Sequence, residues 1–148
     1  MSLKIVSADK DRISEIAEVE KQCFSQPWSE QSIFAELNKE NAVILVALNA
    51  ENTVVGWAGL EYIFGEGSVM NIAVLPQYRR QGVGDALTRA LLKTARKLLL
   101  DWLILEVRIS NIAAISLYRK LGFETIGIRP DFYETPREDA VIMRHMLD

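Results

Sequence analysis

The sequence has little of the chemistry that would make it a disulfide scaffold, a metal protein or a membrane protein. Cys23 is the only cysteine and His145 the only histidine, so an intrachain disulfide and a cysteine-rich zinc site are excluded. No run approaches the roughly 18 consecutive apolar residues of a membrane-spanning helix. The first residues, MSLKIVSADK, lack the basic-then-apolar layout of a signal peptide. We therefore expect a cytoplasmic protein without a metal site.

The chain also lacks an excess of positive charge. Seventeen Lys and Arg residues against twenty Asp and Glu residues give a formal net charge of −3. Broad nucleic-acid-binding surfaces need clustered cations, so we expect neither direct nucleic-acid binding nor a membrane partner. The content of 49% apolar and 25% charged residues is typical of a globular protein. We expect a single domain over residues 1–148.

The chain does contain the patterns of a mixed α/β fold. Runs rich in β-branched and apolar residues predict seven strands, and amphipathic runs predict four helices. The strands are expected at 3–7, 42–49, 53–64, 68–75, 102–108, 124–129 and 139–146; the helices follow Asp9, Ser29, Gly82 and Ser110. Because a helix separates 68–75 from 102–108, these strands should be parallel neighbours, whereas the others are mostly antiparallel.

The stretch PQYRRQGVGDALTRALLK, residues 76–93, predicts an anion site at the start of a helix. Gly82 and Gly84 let backbone N–H groups of residues 82–86 approach a ligand, the helix dipole favours negative charge, and Arg79 and Arg80 add cations. Ligands of open α/β sheets bind at this edge of a parallel pair. The alternative is an ordinary helix-start turn with solvated arginines.

Two further side chains are candidates for chemistry. Glu106 lies inside the apolar strand WLILEVR, where a carboxylate is costly unless it is paired or placed in a wet cleft. A salt bridge with Arg108, or with an arginine across the sheet, would also explain it. Tyr118 follows Asn111 by two helical turns, so both lie on one helix face. The alternatives are a core tyrosine and a plain helix N-cap.

Several motifs resemble the GNAT superfamily of acetyl-CoA-dependent N-acetyltransferases. RRQGVG matches the family's Q/R-x-x-G-x-G/A loop, and the order of the predicted strands resembles the family fold across essentially the whole chain. The stretches NIAV, LEVR, SNIAAISLYRKLGF, QPWSE and REDAVIM resemble the bacterial ribosomal-protein-alanine N-acetyltransferases within that superfamily. Those enzymes acetylate the α-amino group of an N-terminal alanine on a small-subunit ribosomal protein.

The resemblance implies a GNAT-like fold with a splayed central parallel pair, and a role for each matching residue. Glu106 would deprotonate the substrate ammonium, and Tyr118 would donate a proton to the departing coenzyme A thiolate. A backbone N–H near Val74 would hold the oxyanion. The residues implied in acetyl-CoA binding are Ile72, Ala73, Val74, Arg79, Arg80, Gln81, Gly82, Val83, Gly84, Asp85 and Asn111.

The implied partner is the N-terminal peptide of a basic ribosomal protein. The resemblance places the QPWSE loop, residues 26–30, beside this peptide, and the segment DFYETPRED, residues 131–139, is the second candidate rim. Acidic residues could steer a cationic peptide: Glu30, Asp131, Glu134, Glu138 and Asp139. Ordinary solvated loop charge is the alternative. Other N-termini, lysines and small amines remain possible acceptors, and a non-catalytic acyl-CoA-binding module remains possible.

Two conspicuous residues are expected to have structural roles. Cys23 is expected to be a semi-buried apolar residue near the end of a helix rather than a nucleophile. His145 is expected to be a surface residue at the end of the last strand.

Overall fold

The structure, a computed structural model, describes residues 2–148 and has the predicted mixed α/β architecture. The strands are β1 (Lys4–Ser7), β2 (Ala42–Leu48), β3 (Val54–Ile63), β4 (Glu66–Val74), β5 (Trp102–Arg108), β6 (Glu124–Glu134) and β7 (Arg137–Met146). The helices are α1 (Ile13–Cys23), α2 (Glu30–Leu37), α3 (Val83–Lys97) and α4 (Ile112–Lys120), with 3-10 turns at Lys10–Arg12 and Pro76–Tyr78. The sheet order is β1-β2-β3-β4-β5-β7-β6. No helix of the described residues is long and apolar enough to cross a membrane.

The described residues form two compact units, of which the first comprises residues 2–61 and Met70–Leu91. Strands β1, β2 and β3 pair antiparallel in this unit. Its core is built on β2 and β3, whose runs ILVAL and VVGWAGL are almost continuously buried. Helix α1 contacts β3 at Trp57 and helix α3 contacts it at Gly56. The largest fully buried side chain is Trp57, and Ile16, Ile33, Leu60 and Leu87 are likewise fully buried.

The second unit comprises Tyr62–Val69 and Leu92–Asp148. In β5 the side chains of Leu103, Leu105 and Val107 are buried, whereas the alternating residues are half-buried, as the period of two predicts. The β5 strand pairs antiparallel with β7, and β7 pairs with β6. The core of this unit includes Leu103, Phe123 and Met143.

The parallel pair is β4 with β5, as predicted. Its register joins only Glu66 to Trp102, Gly67 to Leu103 and Ser68 to Ile104. Strand β4 continues past these pairs to Val74 and β5 continues to Arg108. The parallel ladder is therefore short, and the later residues of both strands lie beyond it.

Several predicted boundaries were wrong. The predicted spacer at residues 65–67 is too late, because the chain turns at 64–65 and β4 begins at Glu66. The segment 131–139 was predicted to connect the last two strands as a loop. Most of it is strand instead, since β6 runs to Glu134 and β7 starts at Arg137. Polar residues and Pro136 obscured this hairpin, because residues 131–137 are exposed apart from the half-buried Tyr133 and therefore lack an apolar pattern.

A buried carboxylate in the first unit predicts a pH-dependent stability. Lys39 Nζ lies 3.2 Å from Glu36 Oε1 and 3.0 Å from Glu61 Oε2. Burial raises the pKa of Glu36 from 4.5 to about 7, and the Glu61 carboxylate adds to the rise. The folded state therefore holds a proton that the unfolded state releases between these values, so this group makes the protein less stable as pH rises through the window.

We expect Glu36→Gln to remove this loss of stability. At each pH we compare the free energy of unfolding of the variant with that of the natural chain. The difference should favour the variant more at pH 8 than at pH 4.5, because the uncharged amide does not have to ionise in a buried position. Urea unfolding at both pH values measures the difference. An equal difference between the two proteins at both pH values would show that Glu36 does not titrate in this window.

Candidate active site

The glycine loop in the first unit has the backbone geometry of an anion site. Gly82 has φ +84°, and a Cβ built on it would meet no heavy atom within 4 Å. The Ala86 N–H donates to the Gly82 carbonyl at 3.0 Å. The N–H groups of the three preceding residues, 83–85, belong to the first helical turn, whose donors have no intrahelical acceptor. An open space therefore faces a glycine and a helix start, which is the geometry that anions favour.

Some charged side chains of the loop already have partners within the protein, and others are exposed to solvent. Arg79 donates through Nε to the Val74 carbonyl at 3.2 Å, and its Nη2 lies 3.6 Å from Cys23 Sγ. Arg80 is exposed, with φ +63°. The Asp85 carboxylate accepts a hydrogen bond from Arg89 Nε at 2.6 Å. This pair partly neutralises the acid at the start of α3, and Arg80 is the cation that extends to solvent.

The end of β4 packs closely on β3 and α3. A Cβ on Gly56 would lie 2.9 Å from the Ala73 carbonyl oxygen and 3.2 Å from side-chain carbons of Val83 and Leu87. Only glycine allows this approach, so Gly56 sets the distance between the two strands. The predicted segments 72–74 and 79–85 are thus both parts of the first unit.

Glu106 lies in the second unit, on the half-buried face of β5 opposite Ile142 of β7. Among residues 2–148, no ion pair within 4.0 Å includes Glu106. Arg108 binds Glu138 instead, with Nη1 3.2 Å from Oε2. The salt bridge considered from the sequence is therefore not formed among the described residues.

Arg108 contacts several residues of the hairpin formed by β6 and β7. Its guanidinium donates to the Pro136 carbonyl at 2.8 Å and to the Thr135 carbonyl at 3.2 Å, and it lies 4.2 Å from the centre of the Tyr133 ring. Glu138 Oε1 also accepts the Ser110 N–H at 2.6 Å. The sequence did not single out Arg108 for this role, because its partners lie 25 to 30 residues away.

Tyr133 links the two residues predicted to be catalytic. Its pKa is raised by burial and by the charge of Glu106, and Tyr133 in turn contributes to the raised pKa of Tyr118. Tyr118 is 8% exposed and packs against Phe123, with ring centres 5.8 Å apart. Burial is the main cause that raises the pKa of Tyr118 to about 12. Glu106, Tyr118, Phe123 and Tyr133 all belong to the second unit. From the sequence, Tyr133 was placed only within the segment 131–139.

Asn111 is the N-cap of α4. Its Oδ1 accepts the Ala114 N–H at 3.2 Å, and the residue is exposed. The N-cap considered from the sequence is thus formed, and the contact of Asn111 with a coenzyme remains a prediction.

The acidic residues of the 131–139 hairpin are not all available to a ligand. Glu138 is bound to Arg108 and Ser110, and Asp139 Oδ1 accepts the Asp131 N–H at 2.9 Å. The side chains of Asp131 and Glu134 are exposed. The hairpin therefore offers two acids to solvent, fewer than the sequence suggested.

The lone cysteine and the lone histidine have structural surroundings. Cys23 ends α1 half-buried, as predicted, and its thiol donates to the Val74 carbonyl at 3.2 Å; burial is the first cause that raises its pKa. His145 was predicted to be a surface residue at the end of the last strand, and it lies near the end of β7 in a half-buried position. Its ring packs on Phe123 at 5.4 Å, with Nε2 3.3 Å from Arg96, and burial lowers its pKa. Among residues 2–148, no three His, Cys, Asp or Glu side chains are grouped to hold a metal ion.

Residues 13–123 match the model of the acetyltransferase (GNAT) family. The matched range contains the glycine loop, Glu106 and Tyr118. This chain belongs to the GNAT family. The resemblance seen in the short motifs is thereby confirmed over most of the chain, and the GNAT fold accounts for the single parallel pair within an otherwise antiparallel sheet.

Curated relatives within the GNAT family are similar to this chain in sequence over most of its length. The ribosomal protein bS18-alanine N-acetyltransferase of Escherichia coli K12 is 39% identical over 127 residues, which cover 84% of each chain. The enzyme of the same name from Haemophilus influenzae is 34% identical and covers 95% of this chain and 94% of its own. A crystal structure of the Escherichia coli ribosomal-protein-alanine N-acetyltransferase superposes with a TM-score of 0.90 at 34% identity, covering 99% of this chain and 95% of that one.

Proposed function

We propose that the chain transfers the acetyl group of acetyl-CoA to the α-amino group of an N-terminal alanine on a small-subunit ribosomal protein. The observation that carries this proposal is the Glu106 carboxylate, which lies within an apolar strand and forms no ion pair with any of residues 2–148. A half-buried carboxylate without a partner cation keeps its charge only in contact with solvent or a polar ligand, which fits a residue that faces a substrate cleft. The relatives' names supply the class of acceptor, and the family supplies the donor.

The glycine loop fits the diphosphate of the coenzyme. The open space at Gly82 and the unbonded N–H groups of the first turn of α3 would hold the phosphate oxygens, with Arg79, Arg80 and Gln81 beside them. The backbone of residues 72–74 would bind the pantetheine arm in the manner of an added strand. The bound coenzyme supplies an activated acetyl thioester.

We predict that Gly82→Ala weakens acetyl-CoA binding by about tenfold or more. The added methyl would fill the open space at Gly82, and an L-residue at φ +84° carries roughly 1 to 2 kcal/mol of strain that moves the loop. Isothermal titration calorimetry measures the change. Gly127→Ala is the matched control, because its Cβ would meet nothing closer than 3.9 Å and the position lies outside the loop. Unchanged affinity in Gly82→Ala would exclude this placement of the diphosphate.

Glu106 acts as the general base, directly or through water. An α-ammonium group has a pKa of about 8, and only the neutral amine attacks a thioester. The base therefore has to remove one proton from a group that is already partly neutral near pH 7. A carboxylate without a competing cation meets this modest requirement.

Tyr118 stabilises the departing thiolate as a hydrogen-bond donor. Because its pKa is about 12, the phenol remains protonated throughout the neutral range. Transfer of its proton to a thiolate whose acid has a pKa of about 8.5 would be uphill by roughly 5 kcal/mol. With an ordinary phenol pKa of about 10 the transfer would be nearly balanced, uphill by only about 2 kcal/mol. The buried position shifts that balance strongly toward donation without transfer.

The acceptor is better matched by a chain terminus than by a lysine. A lysine ammonium has a pKa of about 10.4, so a single carboxylate would have to overcome a larger deprotonation cost near pH 7. The exposed acids Asp131 and Glu134 would favour the basic sequence that is typical of ribosomal proteins, and this steering should weaken with salt.

Matched peptides test the proposed acceptor. One peptide carries a free N-terminal alanine, the second has a blocked terminus and an internal lysine, and the third begins with a bulky residue. We expect rapid acetylation of the alanine peptide alone. Comparable acetylation of the lysine peptide would overturn the N-terminal assignment, equal acetylation of both free termini would overturn the restriction to alanine, and coenzyme binding without transfer would indicate a non-catalytic module.

A further inference from the structure

Glu20 is a buried carboxylate on α1 to which the proposed chemistry assigns no role. The side chain is fully buried, and three hydrogen-bond donors from three separate segments converge on it. Its Oε1 accepts the backbone N–H of Trp28 at 3.0 Å. Its Oε2 accepts Trp57 Nε1–H at 2.9 Å and Asn71 Nδ2–H at 2.8 Å. The donors come from the connection between α1 and α2, from β3 and from β4.

The three N–H groups around Glu20 explain why this buried position holds a carboxylate. All three are neutral N–H groups, and the described residues place no cation within 4.0 Å of the Glu20 oxygens. An apolar side chain would leave three buried N–H groups without acceptors, which is costly. A carboxylate has two oxygens and enough lone pairs for all three bonds. Burial raises the pKa of the Glu20 carboxyl, and the hydrogen bonds from Trp28 and Trp57 oppose that rise by favouring the carboxylate.

The first segment that Glu20 holds is the connection between α1 and α2. The Trp28 ring packs edge-to-face on Trp57, with centres 5.7 Å apart. An open depression of about 360 Å³ is lined by Pro27, Trp28, Ser29 and Ser32. The family resemblance places this loop, residues 26–30, beside the acceptor peptide. Its backbone position depends on the Trp28 N–H bond to Glu20.

The second segment is the part of β4 assigned to the coenzyme. The Asn71 amide donates to Glu20, while its Oδ1 accepts the Ile72 N–H at 3.1 Å. The amide is thereby fixed in one orientation at the start of residues 72–74. One carboxylate therefore joins the acceptor loop and the coenzyme strand within the first unit.

We propose that Glu20 is a positioning residue for acetyl transfer, whose carboxylate holds the loop at Trp28 in the conformation that receives the acceptor peptide. This inference rests on the proposed function. It concerns binding of the acceptor and assigns Glu20 no contact with the reacting atoms.

The variant Glu20→Gln should affect the hydrogen bond to the loop and the hydrogen bonds to the strands differently. A glutamine has one acceptor oxygen and one NH₂ group. The NH₂ group therefore takes the place of one carboxylate oxygen, where it meets an N–H group and cannot accept its hydrogen bond. Placing the NH₂ toward Trp28 sacrifices one bond, whereas the opposite orientation sacrifices those to Trp57 and Asn71. The variant should therefore release the loop and retain the bonds to β3 and β4.

We expect Glu20→Gln to raise the KM for the acceptor peptide roughly tenfold or more, the effect of losing one charge-assisted hydrogen bond. The affinity for acetyl-CoA, measured by calorimetry, should stay within about twofold of the natural chain. Glu36→Gln is the matched control, because Glu36 is also a buried carboxylate of the first unit but contacts Lys39 rather than the loop. It should change stability and leave the acceptor KM unchanged.

Hydrogen exchange at the Trp28 N–H tests the positioning role of Glu20 without an acceptor, because it measures the hydrogen bond to the loop directly. We expect faster exchange in Glu20→Gln and the natural rate in Glu36→Gln, whatever amine the enzyme acetylates. If the natural chain acetylates no alanine terminus, the proposed function fails, and the KM comparison is made with the amine it does use. If Glu20→Gln does not fold, Glu20→Asp, which keeps the charge but falls short of the donors, is measured in its place. A natural exchange rate, or an unchanged acceptor KM, overturns the positioning role.

Discussion

Replacing Glu106 with glutamine is expected to lower kcat/KM by roughly 10² to 10⁴-fold at pH 7, the range typical of a lost general base. Glutamine has nearly the same size and cannot accept the ammonium proton. Acetyl-CoA binding should be unchanged, because Glu106 lies on β5 and the predicted diphosphate site lies at the start of α3. Steady-state rates with the alanine peptide, together with calorimetry, measure both quantities.

The pH dependence distinguishes a base from a structural carboxylate. Above a pH of about 8 the acceptor amine is already neutral, so the defect of Glu106→Gln should shrink as pH rises from 7 to 10. Glu124→Gln, an exposed carboxylate at the start of β6, is the matched control and should retain full activity. A defect of constant size across this range would show that Glu106 is not the base.

Tyr118→Phe is expected to lower kcat by roughly 10 to 150-fold, the value of one hydrogen bond to a charged group. The phenylalanine keeps the packing on Phe123 and removes the donor that stabilises the thiolate. Because the pKa of Tyr118 is about 12, the phenol stays protonated up to pH 10. The defect should therefore be nearly constant between pH 7 and pH 10, in contrast to that of Glu106→Gln.

Tyr62→Phe provides the control for Tyr118→Phe. It removes a hydroxyl group from the second unit at a position with no proposed role, and its kcat should stay close to that of the natural chain. Single-turnover measurements with saturating acetyl-CoA report the chemical step without product release. Full activity of Tyr118→Phe in that experiment would leave Tyr118 as a packing residue only.

The fold was predictable where local pattern and burial agree. Alternation along WLILEVR placed Leu103, Leu105 and Val107 in the core and Glu106 on the opposite face, which the structure confirms. The glycine loop was predictable because a strand, two glycines and an amphipathic helix follow one another directly. These features depend on neighbours within a few residues, which is the range over which sequence periodicity carries information.

The features that sequence reasoning missed depend on partners distant in the chain. Glu20 looks like an ordinary residue of an amphipathic helix, and its importance comes from donors at residues 28, 57 and 71. The ion pair of Arg108 with Glu138 was hidden in the same way, and so was the fact that none of residues 2–148 forms an ion pair with Glu106. The only local signal for Glu20 was a charged residue in phase with the buried Ile13, Ile16 and Ala17.

The intact masses of small-subunit ribosomal proteins test the central claim most directly. The proteins are compared between cells that lack this enzyme, cells that contain it and cells that contain only Glu106→Gln. We predict that one small-subunit protein with an N-terminal alanine is lighter by one acetyl group in the first and third samples, and that fragmentation places the group on its α-amine. Identical masses in all three samples, or an acetyl group located on a lysine, would contradict the account.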